Sequence, residues 1–421
     1  MASQSGGFSC MRTTIFATGF VEQGAGSVAS ANGVLLRGLL ERQHKISFFT
    51  KPSFVDPRPL LSDCSSFGNL QMVDCSNRLW DGLRARMTST GGGIWGRAWV
   101  GIDAATYNRK LVDAMRKSPG SGVDLWLGDW ARGRGERKVV SFVQGPPGTD
   151  ARSVFTRADL IKRLSGRATW MKLAAAARWR LGLGLPRFDT SDLIILGSRW
   201  SRSFLIENYG ASEQNTMALP YPIDLDEFSP PQTHRKTSEP LRIFWLGRFA
   251  PRKRLDLFLN GLSLAIREGC DAEAWVVGAS AFASGFEKLL DEFPYPSRLK
   301  HWMAVPREKV PALLADVDVM AQPSDEENFG SSVAEALACG VPSIVGATNG
   351  TGDYVCENSI RLRDDHPETF AEAVIEMAAR KKEGRLQDRT ISRAAAEYSF
   401  SSEAVVDQLE NALNLVASGL G

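Results

Sequence analysis

Two glutamates in the second half of the chain, Glu327 and Glu335, stand eight positions apart, and two basic residues, Arg248 and Lys253, precede them. Arginine can bind two oxygens of one phosphate, and lysine adds a compact positive charge. An ionised carboxylate only accepts hydrogen bonds, so it suits the adjacent hydroxyl groups of a sugar or a ribose. The combination predicts a ligand that carries both phosphates and polyols, as a nucleotide-sugar does.

These residues are expected just after strands or at the start of a helix. Gly247 and Arg248 follow the apolar run LRIFWL, and the acidic loop at 325–327 follows DVDVMAQ. In open parallel sheets, ligands bind at the carboxyl ends of the strands. A helix is expected to begin around residues 330–332, where its first N–H groups have no partner within the helix and can hold an anion. The sequence therefore predicts an anion site at one sheet edge.

Short β-branched and aromatic runs alternate with helical stretches, which predicts parallel sheets covered by helices. The runs expected to form strands are TTIFATGF, KISFFT, VDLWLGD, KVVSFVQG and SDLIILGS in the first half, and LRIFWLGRF, AEAWVVGAS, DVDVMAQPS and PSIVGAT in the second. Between the two series, residues 225–240 are rich in proline and charge, as linkers are. The prediction is an α/β protein with two doubly wound domains of similar size.

The domain boundaries follow from this division. We predict a disordered leader, a first Rossmann-like domain, a linker, a second Rossmann-like domain and a C-terminal helix that packs back on the first domain. Their expected ranges are 1–10, 11–228, 229–240, 241–395 and 396–421.

Composition excludes several classes of protein. The 421 residues carry a formal net charge of only +2 and contain no recognisable nucleic-acid-binding module, so nucleic acid is not expected as a partner. The chain has no run of about 18 apolar residues, the length that spans a bilayer. Its six cysteines lie far apart without a CxxC spacing, which favours reduced thiols in a cytoplasmic protein. The Asp-x-Asp strings at 224–226 and 316–318 suit turn capping and strand edges better than magnesium, so no metal is predicted.

Positive charge is concentrated between residues 151 and 190, where nine basic residues accompany only two acidic ones. Apolar residues from Leu160 to Ala175 recur at helical spacing, and most of the basic residues lie off that stripe. Two interpretations stay open. The segment is either a solvated cationic helix packed on the first domain, or a surface over 151–187 that binds an anionic membrane or a phosphate-bearing acceptor.

Two segments together resemble the donor site of the retaining glycosyltransferases of family 4. They are GRFAPRK, from residue 247, and PSDEENFGSSVAEALACGVPSIVGATNG, from residue 323. The family signature is a glycine–arginine loop with a lysine, followed by two glutamates separated by seven residues. Weaker matches, such as RQHKISFF and SDLIILGSRWSRSFLIENYG, extend the resemblance through most of the chain. The resemblance implies the GT-B fold, in which two Rossmann-like domains face each other across a cleft, with the acceptor on the first domain and the donor on the second.

The resemblance also implies a role for each matched residue. Arg248 and Lys253 would hold the diphosphate and stabilise it as it leaves. Glu327 would hold the transferred sugar, and Glu335 would take the ribose hydroxyls. The implied catalytic residues are Glu327, Arg248 and Lys253. The implied donor-binding set is Gly26, Gly247, Arg248, Lys253, Glu327, Asn328, Phe329, Gly330, Ser331 and Glu335.

Fewer residues of the first half match. Gly26, in the segment FVEQGAGSVASANG after the first strand, is the closest match to the loop that faces the donor diphosphate. Gly24, Gln144, Gly145 and Asp129 are the residues expected on the acceptor and sugar side. Gln144 stands where the family often has a histidine, and glutamine can hydrogen-bond a sugar hydroxyl but cannot act as a base. In the front-face mechanism proposed for the family, the departing phosphate accepts the proton, so no protein base is needed.

The resemblance has one further departure, at the position after the lysine, which is commonly glycine. Here it is Arg254, which the sequence leaves open as a third cation or a surface residue. The resulting prediction is a cytoplasmic, metal-independent retaining glycosyltransferase without a cofactor. It would move a hexose-type sugar from a nucleoside-diphosphate donor to a glycan, a glycolipid or a small molecule.

Other functions stay open. The first is a non-catalytic nucleotide-sugar-binding protein of the same fold. The second is an NADP-dependent oxidoreductase. NAD is disfavoured because the second strand is followed by Lys51 and not by an acid that could bind its ribose. The third is an epimerase or phosphorolytic enzyme of similar architecture.

Overall fold

The computed structural model describes residues 13–19, 26–50, 58–75, 109–164, 177, 181, 187–232, 235–279 and 285–419. Contacts among these residues divide the chain into two compact units. Unit 1 takes the described residues within 1–143, 187–195 and 406–421, and unit 2 takes those within 144–186 and 196–405. The leader expected over 1–10 lies outside the described residues.

The strands of the first sheet are β1 (Thr14–Gly19), β2 (Lys45–Thr50), β3 (Leu70–Asp74), β4 (Val123–Leu127), β5 (Lys138–Phe142), β6 (Leu193–Leu196) and β7 (Thr216–Ala218). Their order across the sheet is β3-β2-β1-β4-β5-β6-β7. Ile15 of β1 lies opposite Ile46 of β2 on one side and Val123 of β4 on the other, and both pairs run parallel. The chain is therefore wound outward from β1 in both directions, as in a doubly wound sheet.

The strands of the second sheet are β8 (Leu241–Leu246), β9 (Ala272–Val277), β10 (Leu299–Trp302), β11 (Val319–Gln322), β12 (Ser343–Val345) and β13 (Ile360–Arg361). Their order is β10-β9-β8-β11-β12-β13, and the strand pairs are parallel. The order reverses between β8 and β11, and such a switch point is where open α/β sheets bind their ligands. The loops after these two strands therefore emerge side by side at the carboxyl edge.

Helices accompany both sheets. They are α1 (Gly26–Glu41), α2 (Arg58–Leu61), α3 (Thr149–Thr156), α4 (Ala158–Leu164), α5 (Arg199–Tyr209), α6 (Leu255–Arg267), α7 (Lys288–Asp291), α8 (Val310–Ala315), α9 (Ser331–Ala338), α10 (Pro367–Lys382), α11 (Thr390–Phe400) and α12 (Ser402–Ser418). Residues 109–117 are also helical.

The central strands are buried because helices cover both faces of a doubly wound sheet. All five residues of β4 are buried, including Asp124. Burial raises the pKa of Asp124, and the nearby guanidinium of Arg137, whose Nε donates to the carboxylate at 2.7 Å, opposes this rise. In the second sheet, Trp245 of β8 is fully buried and packs at 5.6 Å between ring centroids against Phe249.

The last helix belongs to unit 1. Glu410 of α12 accepts a hydrogen bond from Nε2 of buried His44 at 2.6 Å, and Asn414 accepts one from the hydroxyl of Thr13 at 2.7 Å. The preceding helix, α11, lies in unit 2. The chain therefore passes from unit 2 to unit 1 near the start of α12.

The prediction of two doubly wound α/β domains is confirmed, and each of the nine runs expected to form strands does so. The division of the chain differs from the predicted ranges. The described residues within 144–186 and 196–228 group with unit 2, whereas the prediction assigned both ranges to the first domain. Among the described residues, no helix is both long and apolar enough to span a membrane. The five described cysteines are free thiols, and three of them are buried.

Candidate functional site

The glycine–arginine loop leaves the carboxyl end of β8. Gly247 and Arg248 follow the strand, and a 3-10 turn at Pro251–Lys253 ends the loop. The loop runs close to the end of β9: a Cβ added to Gly278 would lie 1.9 Å from the carbonyl oxygen of Gly247, and Gly278 has a φ of +153°. The side chain of Arg248 is 57% exposed. The strand ends therefore fix the backbone of the loop while the guanidinium at 248 projects toward solvent.

The acidic loop leaves β11, which is the neighbour of β8 in the sheet. The backbone of Glu327 is fixed on both sides: its N–H donates to the carbonyl of Thr348 at 3.2 Å, and its carbonyl accepts from the N–H of Gly350 at 2.8 Å. The preceding residue, Glu326, has a left-handed backbone, with a φ of +48°. These contacts place the Glu327 side chain next to the loop that carries Lys253.

Glu327 is buried and bound by two cations. Nη1 of Arg252 donates to Oε2 of Glu327 at 2.7 Å, and the ammonium of Lys253 contacts the same oxygen. Burial raises the pKa of Glu327, but the charges and hydrogen bonds of Arg252 and Lys253 lower it more, to about 2. Burial lowers the pKa of Lys253, and Glu327 opposes that change. Two of the three predicted catalytic residues, Lys253 and Glu327, are therefore in direct contact.

Asp150 extends this network. It lies in the first turn of α3 and accepts a hydrogen bond from Nε of Arg252 at 2.5 Å. Its other oxygen lies 3.7 Å from the guanidinium of Arg248. Neither Asp150 nor Arg252 has a role that the sequence motifs predict. Three cations and two carboxylates thus share the site, and the excess positive charge suits an anionic ligand.

Glu335 has a different environment. It lies in α9, is buried, and accepts a hydrogen bond from Nη1 of Arg307 at 2.7 Å. Burial raises the pKa of Glu335, Arg307 lowers it, and the nearby carboxylate of Glu227 raises it, so that the result is a raised pKa. Arg307 follows β10 and is another residue that the sequence analysis did not single out.

The helix after the acidic loop begins as predicted. Gly330 is the N-cap residue of α9, with a φ of +75° that favours glycine. A Cβ at this position would lie 3.0 Å from Oδ1 of Asn349 and 3.2 Å from Oε1 of Gln322, so a side chain would crowd both. The N–H groups at the start of α9, which include that of Ser331, are of the kind that can bind an anion.

Asn328 and Phe329 face the interior of unit 2. Oδ1 of Asn328 accepts a hydrogen bond from the N–H of Gly197 at 3.1 Å. The ring of Phe329 is buried against those of Tyr221, Tyr354 and Phe400, with centroids 5.3–6.1 Å apart. Their side chains therefore hold the loop in place.

Arg254 is neither a third phosphate-binding cation nor a surface residue. It is 5% exposed and forms ion pairs with Asp256 at 3.2 Å, Asp325 at 3.3 Å and Asp365 at 2.9 Å. Its φ of +52° lies in the left-handed region, which costs least for glycine. This backbone conformation gives a physical reason why glycine would suit the position, and the three carboxylates explain how arginine is accommodated.

The basic segment explains the remaining acids of the loop. Arg152 forms an ion pair with Glu326 at 2.6 Å, and Arg157 forms ion pairs with Asp325 at 2.7 Å and Asp365 at 2.5 Å. Apolar contacts agree, since Leu164 is part of the core of the second sheet. The interpretation of a helix packed on the first domain is therefore wrong for residues 149–164, which pack in unit 2. The rest of the segment lies outside the described residues, except for positions 177, 181 and 187–190.

The predicted site residues of the first half of the chain do not all lie in the same unit. Gly26 begins α1 in unit 1, whereas Gly24 lies outside the described residues. Asp129 follows β4 in unit 1 and accepts hydrogen bonds from the N–H of Trp130 at 2.7 Å and from Arg132 at 3.0 Å. Gln144 and Gly145 belong to unit 2, and Gln144 is exposed. Gly145 lies against Asn328, since a Cβ added to it would be 2.9 Å from that of Asn328.

The Asp-x-Asp strings have structural roles. The carboxylate of Asp224 caps a turn by accepting the N–H groups of Asp226 at 3.0 Å and Glu227 at 2.9 Å. The carboxylate of Asp318, at the start of β11, is bound by Arg235 at 2.6 Å and by Lys381 at 2.7 Å.

Comparison with known proteins shows what the second half of the chain is similar to. Residues 227–396 match the family profile described as "Glycosyl transferases group 1". The GDP-mannose-dependent alpha-(1-6)-phosphatidylinositol dimannoside mannosyltransferase of Mycobacterium tuberculosis is 28% identical over 201 residues, which are 46% of this chain and 51% of that protein. The D-inositol 3-phosphate glycosyltransferase of Geodermatophilus obscurus is 26% identical over 248 residues, 54% of this chain and 53% of that protein. The chain spans about half the length of the curated relatives it matches.

Solved structures match over nearly the whole chain. Anabaena HepE, solved with UDP and glucose, aligns with a TM-score of 0.62 and 14% identity over 96% of this chain and 99% of that one. WaaG, a glycosyltransferase involved in lipopolysaccharide biosynthesis, aligns with a TM-score of 0.61 and 14% identity over 95% and 99%. Identity at this level shows the fold alone. The chain therefore has the GT-B fold of these glycosyltransferases, and residues 227–396 are the part of it that matches group 1.

Proposed function

We propose that the protein is a retaining glycosyltransferase that moves a hexose-type sugar from a nucleoside-diphosphate donor to an acceptor, without a metal ion. The observation that carries the proposal is the meeting of the two sequence motifs at the switch point of the second sheet. Lys253 of the first motif contacts Glu327 of the second, and Arg248 is linked to the same network through Asp150. The match to group 1 and the names of the relatives support the same activity.

In this proposal the cations act on the leaving group. As the bond between the sugar C1 and the phosphate oxygen breaks, negative charge accumulates on the nucleoside diphosphate. Arg248, Lys253 and the N–H groups at the start of α9 would stabilise that charge more than they stabilise the bound donor, which is the requirement for catalysis. One such preorganised contact contributes about 3–4 kcal/mol to the transition state. Positive side chains can thereby supply the charge neutralisation for which other transferases use a metal.

The two glutamates would hold the hydroxyl-bearing parts of the donor. Both cation contacts of Glu327 are made by Oε2, and no described residue donates a hydrogen bond to its Oε1. That oxygen is suited to accept hydrogen bonds from the hydroxyls of the transferred sugar. Glu335 would accept those of the ribose. Gly145, which lies against Asn328 next to Glu327, supports a position for Gln144 on the sugar side.

The described histidines agree with a retaining mechanism that uses no protein base, because each has a structural contact or position. His44 is buried against Glu410, His301 donates to the carbonyl of Gly278 at 2.8 Å, and His366 precedes α10 as its N-cap residue. In front-face transfer, the acceptor oxygen bonds to C1 on the face that the phosphate leaves. Its proton passes to the departing phosphate oxygen.

The relatives suggest which substrates to test first. We propose GDP-mannose as the first donor to test, because the mycobacterial relatives are named as dependent on it. The named acceptors of both groups of relatives contain an inositol phosphate, so we propose an acceptor of that class, free or lipid-linked. A lipid-linked acceptor is also compatible with the cationic surface hypothesis for residues 151–187.

A ligand screen tests the donor site. The thermal unfolding transition is measured with the diphosphates of guanosine, uridine and adenosine and with their sugars. A ligand at about 100 times its dissociation constant adds about 2.7 kcal/mol of stability. The bound donor is then incubated with inositol phosphate and with phosphatidylinositol vesicles, in the presence and absence of EDTA, and the anomeric configuration of any product is determined by NMR.

The outcomes separate the rival functions. Stabilisation by a sugar nucleotide, followed by transfer with retained configuration in EDTA, is expected. A protein that binds the donor but neither transfers the sugar nor slowly hydrolyses the donor would be a non-catalytic binding protein. Stabilisation by NADP alone would favour an oxidoreductase, and no stabilisation by any nucleotide would contradict the proposal.

A further inference from the structure

Arg307 is fixed on several sides at the edge of the candidate site. It begins the 3-10 turn Arg307–Lys309 that follows β10. Its Nη1 donates to Oε1 of Glu335 at 2.7 Å, and its Nε lies 3.7 Å from a carboxylate oxygen of Glu227. Its guanidinium also stands 5.0 Å above the ring of Phe228. A planar group held by two carboxylates and an aromatic face has little freedom to turn.

This contact uses only one oxygen of Glu335. No hydrogen bond from the described residues reaches its Oε2, just as none reaches Oε1 of Glu327. In both Glu327 and Glu335, one carboxylate oxygen is therefore bound by cationic side chains. The second carboxylate oxygen stays available as a hydrogen-bond acceptor. For Glu327, the cations are Arg252 and Lys253, and for Glu335, the cation is Arg307.

We propose that Arg307 is a positioning residue for the donor ribose. It orients Glu335 and its charge favours the ionised form, so that the other carboxylate oxygen accepts the ribose hydroxyls. This inference rests on the proposed function, because it assumes that Glu335 binds ribose. The sequence pattern contains no position for such an arginine, since the contact joins a turn after β10 to a helix after β11.

The charges around Glu335 explain why ionisation depends on Arg307. Arg307 faces it from the turn, Glu227 faces it from the segment before β8, and Cys339 lies one turn further along the chain. Burial raises the pKa of the Cys339 thiol to about 12, so the thiol is neutral. The charges of Arg389 and Arg393 also act on that thiol and oppose the rise of its pKa. Without Arg307, burial and Glu227 would both favour the protonated form of Glu335, which is a weaker acceptor.

The test measures recognition of the ribose directly. Affinities for guanosine and uridine diphosphate, and for their 2′,3′-dideoxy forms, are measured by calorimetry at pH 7 for the wild type, Glu335→Gln, Arg307→Gln and Arg307→Lys. The matched control is Arg298→Gln, since Arg298 forms an ion pair with Asp271 at 2.6 Å on the exterior of the same unit. Folding of each variant is checked by its thermal unfolding transition.

The wild type and Arg298→Gln are expected to bind the ribonucleotide at least tenfold more tightly than its dideoxy form. Glu335→Gln and Arg307→Gln are expected to reduce this ratio to about one, and Arg307→Lys is expected to retain part of it. Raising the pH from 6 to 9 is expected to restore the ratio in Arg307→Gln but not in Glu335→Gln, because only the former keeps a carboxyl group that can ionise.

Other outcomes overturn the inference at distinct levels. If Arg307→Gln keeps the wild-type ratio while Glu335→Gln loses it, Arg307 has no positioning role, although the proposed function stands. If the wild type binds the diphosphate without preferring ribose, Glu335 does not read ribose and the inference is wrong. If the wild type binds no diphosphate, the proposed function itself fails. If Arg307→Gln does not fold, Arg307→Lys is measured in its place. A preference of Arg307→Lys for the ribonucleotide that equals the wild-type preference at every pH would overturn the positioning role.

Discussion

Glu327 and Glu335 are the same residue type, lie in one unit and are both buried, yet their pKa values move in opposite directions. The pKa of Glu327 is lowered to about 2, and that of Glu335 is raised. Desolvation raises both. Glu327 contacts two cations, and no carboxylate counts among the principal influences on it, whereas Glu335 contacts one cation and lies near Glu227. The balance of neighbouring charges, and not burial itself, decides which acid is firmly ionised.

Asp325 shows how a neighbouring carboxylate changes the balance of charges. It is bound by Arg157 and Arg254, so it has as many cationic partners as Glu327. Burial nevertheless raises its pKa, and the carboxylate of Asp365 adds to the rise against both arginines. Two cations lower the pKa of Glu327 although Asp150 also binds Arg252, whereas both arginines that bind Asp325 are shared with Asp365. Glu327, which is proposed to bind the sugar, therefore has the environment that better keeps a carboxylate ionised.

The largest expected effect follows from removing the charge of Glu327. Glu327→Gln leaves Arg252 and Lys253 buried without the carboxylate between them, and breaking a buried pair in this way costs about 3–5 kcal/mol. Urea denaturation measures the loss. Transfer is expected to be abolished, while affinity for the bare diphosphate changes little, because Glu327 is proposed to contact the sugar.

The matched control is Glu326→Gln in the same loop. Glu326 pairs with Arg152, and both side chains are 20–24% exposed, so a loss of about 1 kcal/mol or less is expected. Equal losses at the two positions would contradict the importance of the Glu327 cluster.

The second prediction concerns pH. The pKa of Glu327 is about 2 in the folded protein and near the ordinary 4.5 in the unfolded chain, so its ionisation stabilises the fold above pH 4.5. This stability, about 3 kcal/mol at about 1.4 kcal/mol per unit of pH, is lost as the pH falls from 4.5 toward 2. Glu335 has the opposite sign, because a raised pKa means that protonation favours the folded state.

Urea denaturation between pH 3 and pH 7 checks both signs. The stability difference between wild type and Glu327→Gln is expected to shrink as the pH falls. The difference between wild type and Glu335→Gln is expected to change in favour of the wild type over the same range. If the two stability differences changed with pH in the same direction, the opposite pKa shifts of Glu327 and Glu335 would be contradicted.

A third prediction tests the left-handed residue that binds Asp325. Both Arg254→Gly and Arg254→Ala remove the ion pairs of Arg254, but only alanine keeps a Cβ at a φ of +52°. Arg254→Ala is therefore expected to be less stable than Arg254→Gly by about 1 kcal/mol, since a left-handed residue with a Cβ costs about 1–2 kcal/mol. The difference between the two unfolding free energies isolates the backbone term. A glycine variant no more stable than the alanine variant would show that the left-handed conformation relaxes.

Much of the fold could be predicted from sequence because the central strands are long apolar runs. The four strands that were not predicted, β3, β7, β10 and β13, are the edge strands of the two sheets. They are two to five residues long and only partly buried, so they lack the apolar run that marks a buried strand. Edge position thus removes the signal that made the other strands recognisable.

The candidate site divides in the same way. Arg248, Lys253 and the acidic loop could be placed because they directly follow strands whose carboxyl ends meet at the switch point. Asp150, Arg252 and Arg307 could not, because a charged side chain does not reveal in sequence which opposite charge it will contact. The same reason explains why residues 151–164 pack in unit 2 against acids more than 160 positions away, whereas one of the two interpretations of the basic segment placed it on the first domain.

The smallest expected effect on stability is at Arg248, and it completes the contrast between buried and exposed charges. The side chain is 57% exposed, so Arg248→Ala is expected to change the free energy of unfolding by about 0.5 kcal/mol or less. Its affinity for the diphosphate product is nevertheless expected to fall at least tenfold, because the guanidinium is proposed to bind the phosphate oxygens through charge-assisted hydrogen bonds. Calorimetry with the diphosphate and urea denaturation measure the two quantities on one sample. Unchanged affinity would remove Arg248 from the site, whereas a large loss of stability would show that its charge serves the fold, as that of Arg252 does.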